Sequence, residues 1–412
     1  MSTATTQPEA PARLLQLPRR LEAQQEFVDL LGNLAPGQPV SIDGAWGSAC
    51  ALSASAVANS LSGPLVIVLS HQRDIDDFCD DLSLFSSQPI EKFPAWEADP
   101  GEQILHDDIF ADRLRTLKLL AAEGENHRND VDDRIIVSSI QSLLQPVPPV
   151  SEVASHTRVL RVGQGADIDE LRSWLTKLGF HATTAVELPG EFSTRGGIID
   201  VFSPDWHAPV RIELFGDEIE SMRAFDVATQ RSLESHDTVE ITLLAPSESD
   251  REFFTSYLPP DACLLLVEPK LVQDEGQNFL RNAEHADRMH SVTSVLQQAN
   301  RFRLITSSGI ADAPSETSMH LPVESVERFS GEIARVREEL ESATTGQEVF
   351  IVCQTEGEID RLREVFAESP LLTEERLHFV SGRLRSGFRL TDDGIVMISG
   401  AEMFHRADVR RP

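Results

Sequence analysis

PGEFSTRGGIIDVFSPDWHAPVRIELFGDEIESMRAFDVATQRSL, residues 189–233, is written in strand alternation broken by turn residues. Within VRIELF the apolar Val210, Ile212 and Leu214 fall on one face of a period-two strand, which sends Arg211, Glu213 and Phe215 together to the other. A phenylalanine sharing a face with Arg and Glu is out of place in a core. Phe supplies area to desolvate and Arg supplies directional charged hydrogen bonds, so the combination suits a protein-binding hot spot. A plainer assignment stands beside it: Arg211 forms a cross-strand ion pair with Asp200 or Glu213, and Phe215 caps the sheet edge. Asp217 and Glu218 superficially imitate the acidic motif that positions Mg²⁺ in helicases. Their setting, LFGDEIES with Gly216 between two alternating segments, is that of a hairpin turn.

Just upstream, ADIDELRSWLTKLGF carries the marks of a helix. Asp167 and Glu170 form a capping box, Ile168, Leu171, Leu175 and Leu178 an apolar stripe, and Gly179 the stop. One helix followed by four or five short strands predicts an α+β domain with the helix on one face of an antiparallel sheet. The other face, with Arg211 and Phe215, is left for a partner. Proline-rich QPVPPVSE precedes this domain.

Further upstream, PVSIDG, the Ala-rich GAWGSACALSASAVANSL and LVIVLS read as a βαβ unit of a parallel sheet. Its loop lies where a phosphate-binding loop would lie. With Gly44 and Gly47 at the early positions of that motif, Ala49, Cys50 and Ala51 stand where Gly, Lys and Ser or Thr are required. The Lys that reaches the β/γ oxygens and the hydroxyl that holds Mg²⁺ are both missing, which excludes Mg-ATP hydrolysis at this loop. A helix N-terminus by itself draws an anion only weakly.

GEFSTRGGIIDVF, the VRIELFGDEIES hairpin and FDVATQRSL together resemble the second domain of the UvrB-homology module, in the form found at the N-terminus of the bacterial transcription-repair coupling factors. The GSACA loop, FPAWE and RIIVSSIQSLLQPVPP follow the order of that family, so the resemblance runs from about Val40 to Leu233 and beyond it is one of order and size. UvrB itself keeps a working P-loop and a tyrosine-rich hairpin that probes DNA. The corresponding stretch here, FPAWEADPGEQILHDDIFADRLRTL, has no tyrosine; the chain's single one is Tyr257.

The resemblance implies an α/β fold with a UvrB-like first domain (21–153) built on a parallel sheet with a degenerate P-loop. It further implies an inserted α+β UvrA-binding domain (154–245), a segment that completes the first domain's sheet (246–320) and a small separate C-terminal α/β domain (321–412). By the same resemblance, Arg195 of STRGG, Arg211 and Phe215 bind UvrA, the damage-recognition protein of nucleotide excision repair. The implied function is a non-catalytic module that recruits UvrA to stalled RNA polymerase, with no catalytic residue, cofactor or metal of its own. In the family, contact with RNA polymerase and the use of ATP and Mg²⁺ belong to further domains, expected to be absent after RADVRRP. The chain is then a fragment, a split gene product or a stand-alone adaptor. The alternative is the truncated N-terminal part of the full ATP-dependent translocase that displaces stalled polymerase.

Charge narrows the choice of partner. With 36 Lys+Arg against 67 Asp+Glu, the net charge is -31 and the pI about 4.7, so the average field repels phosphate polyanions and favours protein over DNA. RLRSGFRL, with Arg383, Arg385 and Arg389, is the local positive exception. Cys50, Cys79, Cys263 and Cys353 lie far apart without metal-ligand spacing, which fits a reduced cytoplasmic protein with neither zinc nor disulfide framework. No Ser/His/Asp order, paired carboxylates or His-rich spacing points to another chemistry. No apolar run approaches a membrane span, and MSTATTQPEAPA lacks the basic and apolar regions of a signal peptide, so residues 1–20 are expected to be disordered.

After ITLLAPSE, CLLLVEP and FRLITSSG read as strands around a helical GQNFLRNAEHADRMHSVTSVLQQA. Beyond IADAPSETS, VESVERFSGEIARVREELESATTG and TEGEIDRLREVFAES read as helices, and EVFIVCQ and IVMISGAEMF as strands.

Overall fold

The computed structural model describes residues 10–96, 108–122, 131, 133–244, 250–310, 317–326 and 333–403. Four strands come early: β1 (Val40–Asp43), β2 (Leu65–Leu69), β3 (Ile90–Phe93) and β4 (Ile135–Ser139). The middle of the chain supplies β5 (Thr157–Arg161), β6 (His181–Ala182), β7 (Glu191–Arg195), β8 (Ile198–Val201), β9 (Val210–Phe215), β10 (Glu218–Phe225), β11 (Ser232–Ser235) and β12 (Thr238–Thr242). Then come β13 (Cys263–Val267), β14 (Arg303–Ser308) and β15 (Ser318–His320).

The first sheet has the order β15-β1-β14-β13-β2-β4-β3, and every neighbouring pair is parallel. Strands β1 and β2 of the expected βαβ unit therefore never touch. The returning strands β13 and β14 fill the gap between them. A parallel sheet covered on both faces buries its strands entirely, which is why LVIVL, IIVSS and CLLLV carry almost no charge.

The chain between β4 and β13 leaves and rejoins this sheet through a two-stranded stem. Strands β5 and β12 pair antiparallel from Thr157↔Thr242 to Arg161↔Thr238 and hold the ends of the insertion together. Above the stem lies a six-stranded sheet, β11-β10-β9-β8-β7-β6, antiparallel apart from the β6–β7 pair. It exceeds the four or five strands expected, because HA (β6) and SLES (β11) have no alternation to read. Helix Ile168–Leu178 packs on one face, Leu171 and Leu175 being buried with Phe192, Ile199, Ile212 and Met222. Asp167 Oδ1 accepts from the N–H groups of Asp169 and Glu170 at 2.7 and 3.1 Å, and Gly179 closes the helix at φ 101°. The capping box is only half made, since Glu170 pairs with Arg158 at 3.1 Å.

A third sheet contains β16 (Val323–Ser325), β17 (Glu348–Cys353), β18 (Leu377–Ser381), β19 (Phe388–Leu390) and β20 (Ile395–Ser399), in the order β16-β19-β20-β17-β18. Strand β16 corrects the reading of VES, the head of the VESVERFSGEIARVREELESATTG run, as helix: it finds an antiparallel partner in β19, and tertiary pairing overrides local preference. The helix of that run covers Ile333–Ala343. IVMISGAEMF is a strand only to Ser399, followed by a helical turn Gly400–Met403. The segment read as one helix after CLLLVEP is two, Pro269–Asn282 and Val292–Ala299, the second started by Ser291, whose Oγ accepts from the N–H of Ser294.

Two larger expectations fail. Residues 10–20 are not disordered: Ala10–Leu14 and Leu17–Glu22 are helical, with Leu14, Leu17 and Leu21 buried. The unit from 321 onward is not separate either. Its Phe350, Val352, Val380 and Phe388 share one apolar cluster with Ile42, Leu52, Leu82 and Leu14. The N-terminal helices bridge the two units, with Arg13 Nη1 donating to Glu348 Oε1 at 2.9 Å. The expectations for residues 1–9, 97–107 of the FPAWEADPGEQILHDD stretch, 245–249 of ITLLAPSE, 311–316 of IADAPSETS, 327–332 of VESVERFSGEI and RADVRRP lie outside the described residues.

A polar seam crosses this shared core. Asp81, fully buried on helix Ile75–Phe85, accepts at Oδ1 from the backbone N–H of Arg385 at 2.9 Å, while its Oδ2 lies 4.0 Å from Arg385 Nε. Burial pushes its carboxyl up to about 7, against the hydrogen bond from Arg385. A carboxyl that binds its proton more tightly folded than unfolded gives stability that is complete below the unfolded value and is lost as pH rises through the folded one. Stability should therefore decline between about pH 4 and pH 7, and Asp81→Asn should flatten that decline in thermal unfolding; an unchanged profile would assign it elsewhere. Leu14→Ala should cost about 2–5 kcal/mol in denaturant unfolding, as expected for a packed leucine. A change near zero would return the N-terminal helices to the status of a loose leader.

Candidate partner-binding surface and nucleotide loop

Residues opposite one another in an antiparallel ladder share a face, so the register of β7–β10 sorts the inserted sheet row by row. The rows containing Phe192, Val201 and Val210, and Ile199, Ile212 and Met222, turn toward the helix and the core. Ser193, Asp200, Arg211 and Arg223 form an outward row, Arg195, Ile198, Glu213 and Ser221 a second, and Phe215 with Glu218 a third. Arg195, Arg211 and Phe215 thus lie on one face, as the alternation of VRIELF predicts for the last two. The STRGG turn that ends β7 needs its glycines: Gly196 sits at φ 60°, and a Cβ on Gly197 would come within 2.8 Å of the Leu214 carbonyl oxygen.

Phe215 is 79% exposed. Strand β9 lies between β8 and β10, so the ring caps no sheet edge. The other plain assignment, an ion pair for Arg211, is present in the structure. Arg211 Nε and Nη2 donate to the two carboxylate oxygens of Asp200, each at 2.8 Å, and the guanidinium lies 4.7 Å from the centre of the Phe225 ring. The fork raises the Arg211 pKa. Beside it, Glu213 accepts from the Ser221 hydroxyl at 2.8 Å and pairs with Arg223 at 2.5 Å. Those two partners, the hydroxyl first, hold its carboxyl below the usual range despite partial burial. Arg195 is exposed, with Nη2 donating to the carbonyl of Thr184. Arg223 was missed as a member of this face. The alternation of IESMRAF, with Met222 and Ala224 buried, carries the signal for it.

The nucleotide loop is built differently from a phosphate cradle. Gly44 and Gly47 have φ of 83° and 55°, and helix Ala49–Ser60 begins directly after Ser48. Ala49, Cys50 and Ala51 are buried in its first turn, where burial pushes the Cys50 thiol up to about 12. The backbone N–H of Ser48 donates to Ser386 Oγ at 3.2 Å, and the N–H of Ser386 donates back to Ser48 Oγ at 3.0 Å. A side chain on Gly47 would collide with Ser386 Oγ. The SGFRL part of RLRSGFRL, the local positive exception of the sequence, therefore packs onto this loop, with Arg389 donating to the carbonyl of Ala343. Asp217 and Glu218 form the β9–β10 hairpin as expected. The four cysteines are free and individually buried. Among the described residues no group of three His, Cys, Asp or Glu could hold a metal ion, and no helix is long and apolar enough to cross a membrane.

Residues 159–245, from β5 to just beyond β12, match the family model of the UvrB interaction domain. Similar relatives bear the name transcription-repair-coupling factor, among them three bacterial ones. That of Bacillus subtilis (strain 168) is 26% identical over 400 residues, covering 93% of this chain and 32% of the relative. Those of Escherichia coli (strain K12) and Mycobacterium bovis are 31% and 35% identical over 196 and 206 residues, covering 47% and 49% of this chain and 16% of each relative. The chain thus spans a third or less of the length of these relatives. Residues 159–245 are thus similar to the UvrB interaction domain, and the chain is similar, over nearly its whole length, to part of the transcription-repair-coupling factors.

Proposed function

We propose that the chain is a recruitment module that binds UvrA through the outward face of the inserted sheet and so links nucleotide excision repair to stalled RNA polymerase. The observation that carries this reading is Phe215, 79% exposed on an internal strand and on the same outward face as Arg211, within the matched UvrB interaction domain. Covering such a ring is worth about 1.5–3 kcal/mol, and Arg195 and Arg211 add direction that an apolar patch alone lacks. The partner this face fits is a protein offering an apolar pocket bordered by hydrogen-bond acceptors. A net charge of -31 weighs against direct contact with DNA.

The loop from Gly44 to Ala51 supports a role without catalysis or nucleotide in this chain, since it lacks the Lys and Ser/Thr and engages its Ser48 amide with Ser386. A second reading rests on the share of the relatives covered: this chain is one part of an ATP-dependent translocase that displaces stalled polymerase, with ATP, Mg²⁺ and polymerase handled by other domains. Both readings use the same UvrA surface, and both place the protein in the cytoplasm with its partners.

Titration calorimetry of the chain with UvrA tests the surface. Arg211→Ala combined with Phe215→Ala should weaken binding by about 2 kcal/mol or more, roughly thirtyfold in Kd. Phe215→Ala alone should leave unfolding stability within about 0.5 kcal/mol, as expected for an exposed side chain. Unaltered affinity in the double variant would remove this face from the assignment. Overproduced in cells, the chain should compete for UvrA and raise ultraviolet sensitivity, whereas the double variant should not.

A further inference from the structure

Arg211 is held on three sides. Asp200 takes Nε and Nη2 in a two-pronged fork at 2.8 Å each, the Phe225 ring lies under the guanidinium at 4.7 Å, and Gln230 Oε1 stands 3.4 Å from Nη2. Glu213 is no substitute for Asp200. It neighbours Arg211 on the same strand face, but its oxygens are taken by the Ser221 hydroxyl and by Arg223. Nη1 is the one guanidinium nitrogen of Arg211 without a hydrogen-bond partner among the described residues, and the side chain remains 30% exposed. A guanidinium gripped by Nε and Nη2 can turn only its Nη1 edge to a partner.

We infer that Asp200 is a positioning residue for UvrA binding, fixing Arg211 so that its Nη1 edge meets an acceptor on the partner, on the same outward face that carries Phe215. This rests on the UvrA reading above. The clamp spares the cost of ordering a long, flexible side chain when the complex forms. It also lowers the net positive charge of the spot, so Asp200 has two opposed effects, and the inference is that orientation outweighs charge. If charge won, removing Asp200 would free Arg211 and tighten binding.

The experiment is a double-mutant cycle with UvrA, combining Asp200→Asn with Arg211→Ala, on chains whose unfolding transitions match that of the unaltered protein. Asp200→Asn should weaken binding about three- to tenfold in the unaltered chain and less than about twofold once Arg211 is alanine. Tighter binding, no change, or equal weakening in both backgrounds would overturn the inference. Nitrogen NMR of the free chain reads the clamp without the partner. The Arg211 guanidinium should rotate slowly in the unaltered chain and average rapidly in Asp200→Asn, and equal averaging in both would overturn the clamp itself. Failure of the unaltered chain to bind UvrA, with the NMR difference intact, would instead overturn the partner and leave the clamp standing.

Discussion

The parallel pairing of β13 and β14 between β1 and β2 is the constraint from which the remaining architecture follows. Two strands separated by one helix in sequence stand with two other strands between them in the sheet, and that space is filled only when the chain returns from the insertion. Until then the buried faces of Ile42 and Ile67 lack their lateral neighbours. The return also fixes where the insertion can stand, because its two ends must leave and rejoin the same sheet. The β5–β12 stem meets that demand and makes the inserted sheet an outgrowth on a defined base. Long-range parallel pairing of this kind closes large loops, which is slow to form and cooperative once made.

The third sheet adds to the same base. Its apolar residues run into the cluster beneath the first sheet, and the N-terminal helices cover the junction. The loop that in a nucleotide-binding relative of this architecture would receive phosphate meets Ser386 instead, with reciprocal hydrogen bonds between two serines. Cys50 stands where that loop would carry its Lys, and independently Ser386 lies against Gly47 and Ser48. The first sheet and its helices serve as the scaffold from which the β5–β12 stem carries the insertion.

On that scaffold the inserted sheet divides its work by face. One face buries aliphatic side chains against a helix, and the other arranges Asp200, Arg211, Glu213 and Arg223 in two adjacent ion pairs. Partly exposed pairs of this type contribute little to stability, about 0–1 kcal/mol each. Their consequence is geometric: long side chains that would otherwise sample many rotamers are held against the sheet, while Phe215 stands clear of them.

Alternation and turn chemistry were enough to place Arg211 and Phe215 on one face, to read LFGDEIES as a hairpin and to start and stop the helix at Asp167 and Gly179, since these are short-range consequences of backbone periodicity and local hydrogen bonding. The missing Lys and hydroxyl at Cys50 and Ala51 were equally plain, because a required functional group is either in the sequence or not. Strand β16 escaped, its residues favouring helix until β19 offers a ladder. So did the burial of Leu14 and Leu17, whose apolar stripe is too short to stand out from a polar leader. Whether Arg211 would take Asp200 or Glu213 was open in the sequence and settled by register and by Ser221 and Arg223 claiming Glu213 first. The sealing of the nucleotide loop by Ser386 belongs wholly to the tertiary structure, because contacts between residues far apart in the chain depend on packing that no local pattern records.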